Sequence, residues 1–94
     1  MTTTNAKIKT LEELDALREA SRKDSKTIVM AGGVFDLFHY GHLRHLQAAK
    51  GEGDVLVVAV TADTHASKAP GRPVFSENMR AEMVASQEIV DYVV

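Results

Sequence analysis

Residues 32–42 read GGVFDLFHYGH, and this stretch decides the fold of the chain. It follows an apolar, partly β-branched run at 27–31, which predicts a buried strand that the two glycines bring to an end. Apolar residues at helical spacing come next and predict a helix from about His39 to Gly51. Residues 55–60 are then apolar at every position, as in a strand covered on both faces of a parallel sheet. The stretch therefore lies inside a strand, helix, strand unit.

A further helix is predicted before this unit. Thr10 and Glu13 fit a capping box, in which the threonine hydroxyl and the glutamate each accept a backbone N–H group of the first turn, so the helix should begin at about Leu11. A leucine or alanine recurs at every third position, and the expected role of this stripe is packing: Leu11, Leu14, Leu17 and Ala20.

The second half of the chain continues the alternation of strands and helices. Residues 61–74 contain both prolines and predict a loop. Ser76 predicts the cap of a third helix with Met79, Met83 and Val84 on its apolar side. Residues 91–94 predict a third short strand. The chain is therefore expected to be an α/β protein with a Rossmann-like parallel sheet and flanking helices.

Length and composition narrow the class of protein. A chain of 94 residues makes one domain, with a tail and helix at 1–26 and an α/β core at 27–94. The net charge of -2 argues against a general nucleic-acid partner, and the absence of cysteine excludes disulfides and thiolate metal sites. The apolar run at 55–60 is too short to cross a bilayer. We expect a cytoplasmic protein without a membrane partner.

The chemistry is expected between the first strand and the second helix, where open α/β sheets bind ligands. Gly32 and Gly33 would let backbone N–H groups approach a phosphate, and the helix would point its positive end at the same place. His39 and His42 are three residues apart and would converge on one anion, to which imidazoles donate hydrogen bonds or add positive charge. Gly41 would leave room for the bound ligand. His42 is expected to be exposed at the helix start and to contribute little to the core.

Two other interpretations of these histidines stay open. They could be helix caps or exposed side chains, which is the favoured interpretation of an isolated HxxH, although Phe35, Asp36 and the glycines argue for function here. A metal site that adds His45 is a second alternative, and no carboxylate is spaced to complete it.

The segment GGVFDLFHYGHLRHLQAAK resembles the GxFDxxHxGH signature of the cytidylyltransferase-like nucleotidyltransferases. DVLVVAVTAD resembles that family's second strand with its terminal aspartate, and RPVFSENMRAEMVASQEIVDYVV resembles its basic loop, arginine-bearing helix and dimer-contact strand. The resemblance runs from about Ile8 to the end of the chain. Within the family it points to glycerol-3-phosphate cytidylyltransferase and, through IKTLEEL, to the adenylyltransferase domain of bacterial ADP-heptose synthesis.

The resemblance implies that a sugar phosphate or alcohol phosphate attacks the α-phosphate of ATP or CTP and that pyrophosphate leaves with the assistance of Mg²⁺. The catalytic residues that it implies are His39, His42, Lys68 and Arg80. The residues that it implies around the nucleotide are Gly32, Gly33, Val34, Phe35, Asp36, Gly41, Asp63 and Arg72. For the two cations of the loop, Lys68 and Arg72, a solvated loop is the alternative interpretation.

The same resemblance bears on assembly and completeness. Residues 88–91, EIVD, resemble a segment through which family members dimerise, with a glutamate in place of its arginine, so a homodimer is expected. The family domain continues with a further strand and helix, and we expect this chain to be a truncated form that lacks them. A non-catalytic nucleotide-binding or dimerisation module is the alternative function. A fragment of a class I aminoacyl-tRNA synthetase, which has a similar motif, is a more distant one.

Overall fold

The computed structural model describes residues 4–66 and 70–94, with side chains from residue 6 onwards. Three parallel strands form one sheet in the order β1–β2–β3, with β1 at Ile28–Gly33, β2 at Val55–Val60 and β3 at Tyr92–Val93. The helices are a 3-10 turn at Thr4–Lys7, α1 at Leu11–Lys23, α2 at Tyr40–Lys50, α3 at Asp63–Ala66 and α4 at Glu77–Ala85. The expected Rossmann-like α/β architecture is confirmed. Within the described ranges, no helix is long and apolar enough to span a bilayer.

The central strand β2 forms the core of the domain. Leu56, Val57 and Val58 are fully buried, and the strand pairs in parallel with β1 on one side and β3 on the other. Leu46 of α2 and Val84 of α4 pack into the same core. Each fully buried aliphatic side chain of this kind contributes about 1.5–3 kcal/mol. The prediction of a strand covered on both faces is confirmed.

Strand β1 continues through both glycines that were expected to end it. Gly32 pairs with Ala59 and Gly33 with Val60, so that prediction was wrong. The parallel ladder with β2 outweighs the low preference of glycine for strands. A side-chain carbon on Gly33 would lie 3.0 Å from two ring carbons of Phe35. The second glycine therefore makes room for an aromatic ring that turns back into the core.

Helix α1 has the predicted start but not the predicted burial. Thr10 and Glu13 form the capping box. Leu11, however, is 74% exposed, and no residue of α1 is buried by the described part of the chain. Met30 of the neighbouring edge strand β1 is also exposed, at 56%. The expectation that the apolar stripe packs was therefore wrong at Leu11, because periodicity predicts a helix face but not what covers it.

The segment after β2 differs from the predicted loop by the short helix α3. Ser76 caps α4 as expected, because its hydroxyl accepts a hydrogen bond from the amide of Met79. The inward side of α4 is formed by Arg80 and Val84, whereas Met79 is 50% exposed. The expectation that Met79 lies on the packed side was therefore wrong.

Three segments meet at Asp91, just before β3. Its carboxylate accepts hydrogen bonds from Lys50 Nζ at 2.6 Å and from the amide of Leu56 at 2.8 Å. The end of α2, the start of β2 and the start of β3 are thereby joined. The residue that resembles part of a dimer contact is used inside the chain.

Two glycines in the turn after α2 give a test of the packing. Gly53→Ala should lower the free energy of unfolding by about 1–3 kcal/mol, because the added carbon would lie 2.6 Å from Val29 Cγ2 and 3.0 Å from the carbonyl oxygen of Thr27. Gly51→Ala is the control, since its nearest contact would be 3.4 Å. Urea denaturation of both variants measures the difference. Equal stability of the two would contradict the packing of this turn.

Candidate active site

The amino-terminal end of α2 is capped by imidazole rings. His39 is the N-cap residue, and its Nδ1 accepts a hydrogen bond from the amide of Gly41 at 3.0 Å. The Nδ1 atom of His42 accepts one from the amide of His39 at 3.1 Å. This is the reciprocal arrangement of a capping box, with ring nitrogens in place of the usual hydroxyl and carboxylate. The alternative interpretation of the histidines as helix caps is therefore confirmed, and their expected contact with an anion stays a prediction.

These bonds fix which nitrogen of each ring carries the proton. A neutral imidazole has one donor and one acceptor nitrogen, so a ring whose Nδ1 accepts from the backbone carries its proton on Nε2. The rings of His39 and His42 are stacked, with centroids 3.8 Å apart. The structure thus brings the two rings together, as their spacing predicts, and leaves two Nε2–H donors side by side.

His42 is half-buried, so the expectation of an exposed ring was wrong. Its ring lies edge-on to Phe35, with centroids 5.3 Å apart, and 5.4 Å from the ring of Phe38. Burial is the main cause that lowers the pKa of His42, and the positive charges that His39 and His45 would carry lower this pKa further. The ring is therefore kept neutral near pH 7, as a hydrogen-bond donor and not as a cation.

Gly41 makes space for His39. A side-chain carbon at this position would lie 2.8 Å from Cε1 and 3.1 Å from Nδ1 of the His39 ring. Such distances are too short for a well-packed site. The glycine of the motif is thus needed for the histidine pair itself, and any room that it leaves for a nucleotide is a second consequence.

The turn between β1 and α2 is built on two strained residues. Phe35 and Leu37 have φ angles of 54° and 52°, in the left-handed region that residues with a side chain seldom adopt. Each such residue costs on the order of 1 kcal/mol or more, and such strain is concentrated at functional sites. Phe35 is 2% exposed, so its side chain belongs to the core and only its backbone could face a nucleotide.

Arg80 binds four residues around this turn. Its guanidinium is fully buried and donates to the carbonyl oxygens of Phe75, Val34 and Thr61 at 3.0, 2.8 and 2.7 Å. It also forms an ion pair with Asp63 at 2.7 Å. The expected catalytic arginine therefore binds to the protein in this structure. Asp63 follows the carboxyl end of β2, begins α3 and balances the arginine's charge.

Asp36 anchors the segment that precedes α4. Its carboxylate accepts from the amides of Val74 and Phe75 and from a guanidinium nitrogen of Arg72 at 3.3 Å. The amide of Val74 is the main cause that lowers the pKa of Asp36, and the amide of Phe75 and the charge of Arg72 act in the same direction. The carboxylate is therefore charged and held in place.

A model of the cytidylyltransferase-like family matches residues 30–94. The chain belongs to the cytidylyltransferase-like family. It is 42% identical to the bifunctional protein HldE of Sulfurimonas denitrificans over 94 residues, which are 98% of this chain and 20% of that protein. With HldE of Geobacter metallireducens it is 42% identical over 92 residues, 96% of this chain and 19% of that protein. The chain thus spans about one fifth of the length of these curated relatives.

A solved structure has the same fold. The lipopolysaccharide core biosynthesis protein of Thermoplasma volcanium superimposes with a TM-score of 0.68 at 40% identity, over 72% of this chain and 56% of that one. These similarities confirm the resemblance that the sequence indicates, to the cytidylyltransferase-like family and to proteins of ADP-heptose synthesis.

The structure gathers most of the residues that the family resemblance implies. At the carboxyl ends of β1 and β2 lie Val34, Asp36, His39, Gly41, His42, Asp63, Arg72 and Arg80. Lys68 falls in 67–69, outside the described residues. Across the described ranges, no three histidine or acidic side chains are grouped to hold a metal ion, so the geometry does not support the metal site with His45.

The lowered pKa of His42 predicts a dependence of stability on pH. The unfolded chain binds a proton near the ordinary histidine value of 6.5, whereas folded His42 resists it. The contribution of neutral His42 to the free energy of unfolding is therefore complete above the ordinary histidine pKa. It is lost as the pH falls towards the lower pKa of the folded protein. NMR titration of the His42 ring should give a midpoint below 6.5. A midpoint at or above that value would contradict the burial described for this ring.

Proposed function

We propose that the two Nε2–H donors of the HxGH motif bind the triphosphate of a nucleotide during nucleotidyl transfer. An oxygen of a sugar phosphate or alcohol phosphate attacks the α-phosphorus of ATP or CTP. The new P–O bond forms as the bond from the α-phosphorus to the bridging oxygen breaks, and pyrophosphate leaves with the electron pair. The single observation that carries this proposal is the stacked pair of histidines with both Nδ1 atoms held by the backbone.

The geometry suits the charge that develops in this reaction. Negative charge on the α-phosphoryl oxygens is stabilised by hydrogen-bond donors that are in place before the reaction. The amino-terminal end of α2 adds its partial positive charge. Because the Nδ1 atoms are occupied, each ring acts through Nε2 alone. His42 donates as a neutral ring, because its Nδ1 accepts from the backbone and its proton lies on Nε2.

The relatives support a choice of substrate within this class. The similarity of IKTLEEL to the adenylyltransferase domain of ADP-heptose synthesis and the identity of about 40% with several HldE proteins support ATP and a sugar phosphate. Mg²⁺ would arrive with the triphosphate, whose oxygens supply ligands. The described residues include no cluster of histidine and acidic side chains that would hold the ion on its own. We further propose a homodimer that includes residues 88–91.

Pyrophosphate release tests the function directly. The purified chain with ATP or CTP, Mg²⁺ and a panel of sugar phosphates should release pyrophosphate, and His42→Ala should lower kcat by about 10²–10³-fold, the loss expected for one donor to a developing oxyanion. His45→Ala is the matched control, because this exposed histidine lies one turn further along the same helix. It should retain wild-type turnover.

Circular dichroism of each variant separates loss of chemistry from loss of fold. Full activity in folded His42→Ala would rule out the role proposed for this ring. Nucleotide binding by the wild-type chain without any pyrophosphate release would instead favour the alternative function, a non-catalytic nucleotide-binding module.

A further inference from the structure

Asp36 lies between the two strained residues of the turn, and its carboxylate is used within the protein. The side chain is only 11% exposed. Both oxygens accept from the amide of Val74, at 3.1 and 2.9 Å, and one accepts from the amide of Phe75 at 3.2 Å. One side chain therefore fixes two consecutive backbone amides, which lie 38 and 39 residues after Asp36 in the chain.

A carboxylate in this setting is a poor contact for a nucleotide. Its negative charge would repel a phosphate, and its acceptor positions already face protein donors. The family resemblance implies that Asp36 lies around the nucleotide phosphates, and the structure indicates how it can do so without touching them. It fastens another segment beside the phosphate site.

That segment carries Arg72. One guanidinium nitrogen of Arg72 contacts Asp36 at 3.3 Å, while the side chain is still 49% exposed. Guanidinium groups have five N–H donors and bind phosphates in a planar, paired geometry, so one contact with Asp36 leaves donors for a ligand. Asp36 is also three residues before His39. The loop that leads to the histidines and the segment that bears the cation are therefore joined at one carboxylate.

We propose that Asp36 is a positioning residue that holds Arg72 beside the histidine pair, where Arg72 binds a phosphate of the nucleotide or of the acceptor. This inference rests on the proposed function for its ligand, although the anchor itself does not. Removal of the carboxylate releases the amides of Val74 and Phe75 and turns Arg72 away from the histidines. Binding of substrate weakens as a result, while the groups at the α-phosphate stay in place.

Asp36→Asn tests the anchor without any assay of activity. The amide side chain has the same size but no charge, which weakens every bond that it accepts. Its NH₂ group also replaces the oxygen that accepts from Val74 at 2.9 Å and from Arg72 at 3.3 Å, and an NH₂ group cannot pair with either donor. In ¹⁵N-resolved NMR spectra, the Val74 and Phe75 amides should shift and exchange with solvent at least about tenfold faster than in the wild type. Unchanged exchange at both amides would overturn the proposal.

A double-mutant cycle tests whether Asp36 acts through Arg72. Asp36→Asn and Arg72→Gln should each raise KM for the nucleotide or the acceptor by about tenfold with a smaller change in kcat. The double variant should be no worse than Arg72→Gln alone, because the two changes remove one interaction. Effects that multiply in the double variant would contradict action through Arg72.

Asp54→Asn is the matched control. The carboxylate of Asp54 also accepts from a backbone amide, that of Thr27 at 2.8 Å, but it lies before β2, at the opposite edge of the sheet from the histidines. Its loss should lower stability and leave KM unchanged. If the wild-type chain releases no pyrophosphate, the proposed function fails, while the amide exchange of Val74 and Phe75 still decides whether the anchor exists. An equal rise of KM in Asp54→Asn would show a general loss of stability and overturn the positioning role.

Discussion

The first turn of α2 depends on two ring nitrogens that accept hydrogen bonds from the backbone. Because Gly41 and His39 donate to them, each imidazole has one orientation and one tautomer. The requirement for glycine at position 41 follows from the same arrangement, since any side chain there would meet the His39 ring. Helix capping uses the Nδ1 atoms, and the phosphate recognition proposed for the motif would use the Nε2 atoms of the same rings.

The surroundings of the histidines divide into groups that would face a ligand and groups that hold them in place. Phe35 packs against His42 from the core side, at the cost of a left-handed backbone. Arg80 and Asp36 are the charged members of the site with the most protein contacts, and both bind backbone groups of segments that are distant in the chain. A charged residue near the histidine pair is thus not by itself a phosphate ligand, and its hydrogen-bond partners decide its role.

Local features were predictable from the sequence. The capping box of α1, the cap of α4 by Ser76 and the buried strand β2 all depend on residues within a few positions of each other. Features set by distant partners were not. The glycines of β1 stay in the strand because β2 pairs with them, and the exposure of Leu11 depends on what lies against α1.

In the candidate site, too, local features were predictable and features set by distant partners were not. The pairing of His39 with His42 follows from their spacing, whereas the roles of Asp36 and Arg80 depend on contacts with segments far along the chain. One signal was present for the arginine. Arg80 is four residues before the buried Val84 on the same helix, so it occupies a position that faces the core and requires acceptors.

The central claim is that both Nδ1 atoms accept from the backbone and both Nε2 atoms carry the proton. It is tested most directly by the protonation of the ring nitrogens of His39 and His42. In ¹⁵N NMR spectra of the protein at pH 8, each Nε2 should show the chemical shift of a protonated nitrogen and each Nδ1 that of an unprotonated acceptor. An Nδ1–H tautomer in either ring, or an equal mixture of the two tautomers, would contradict the capping arrangement and the pair of donors built on it.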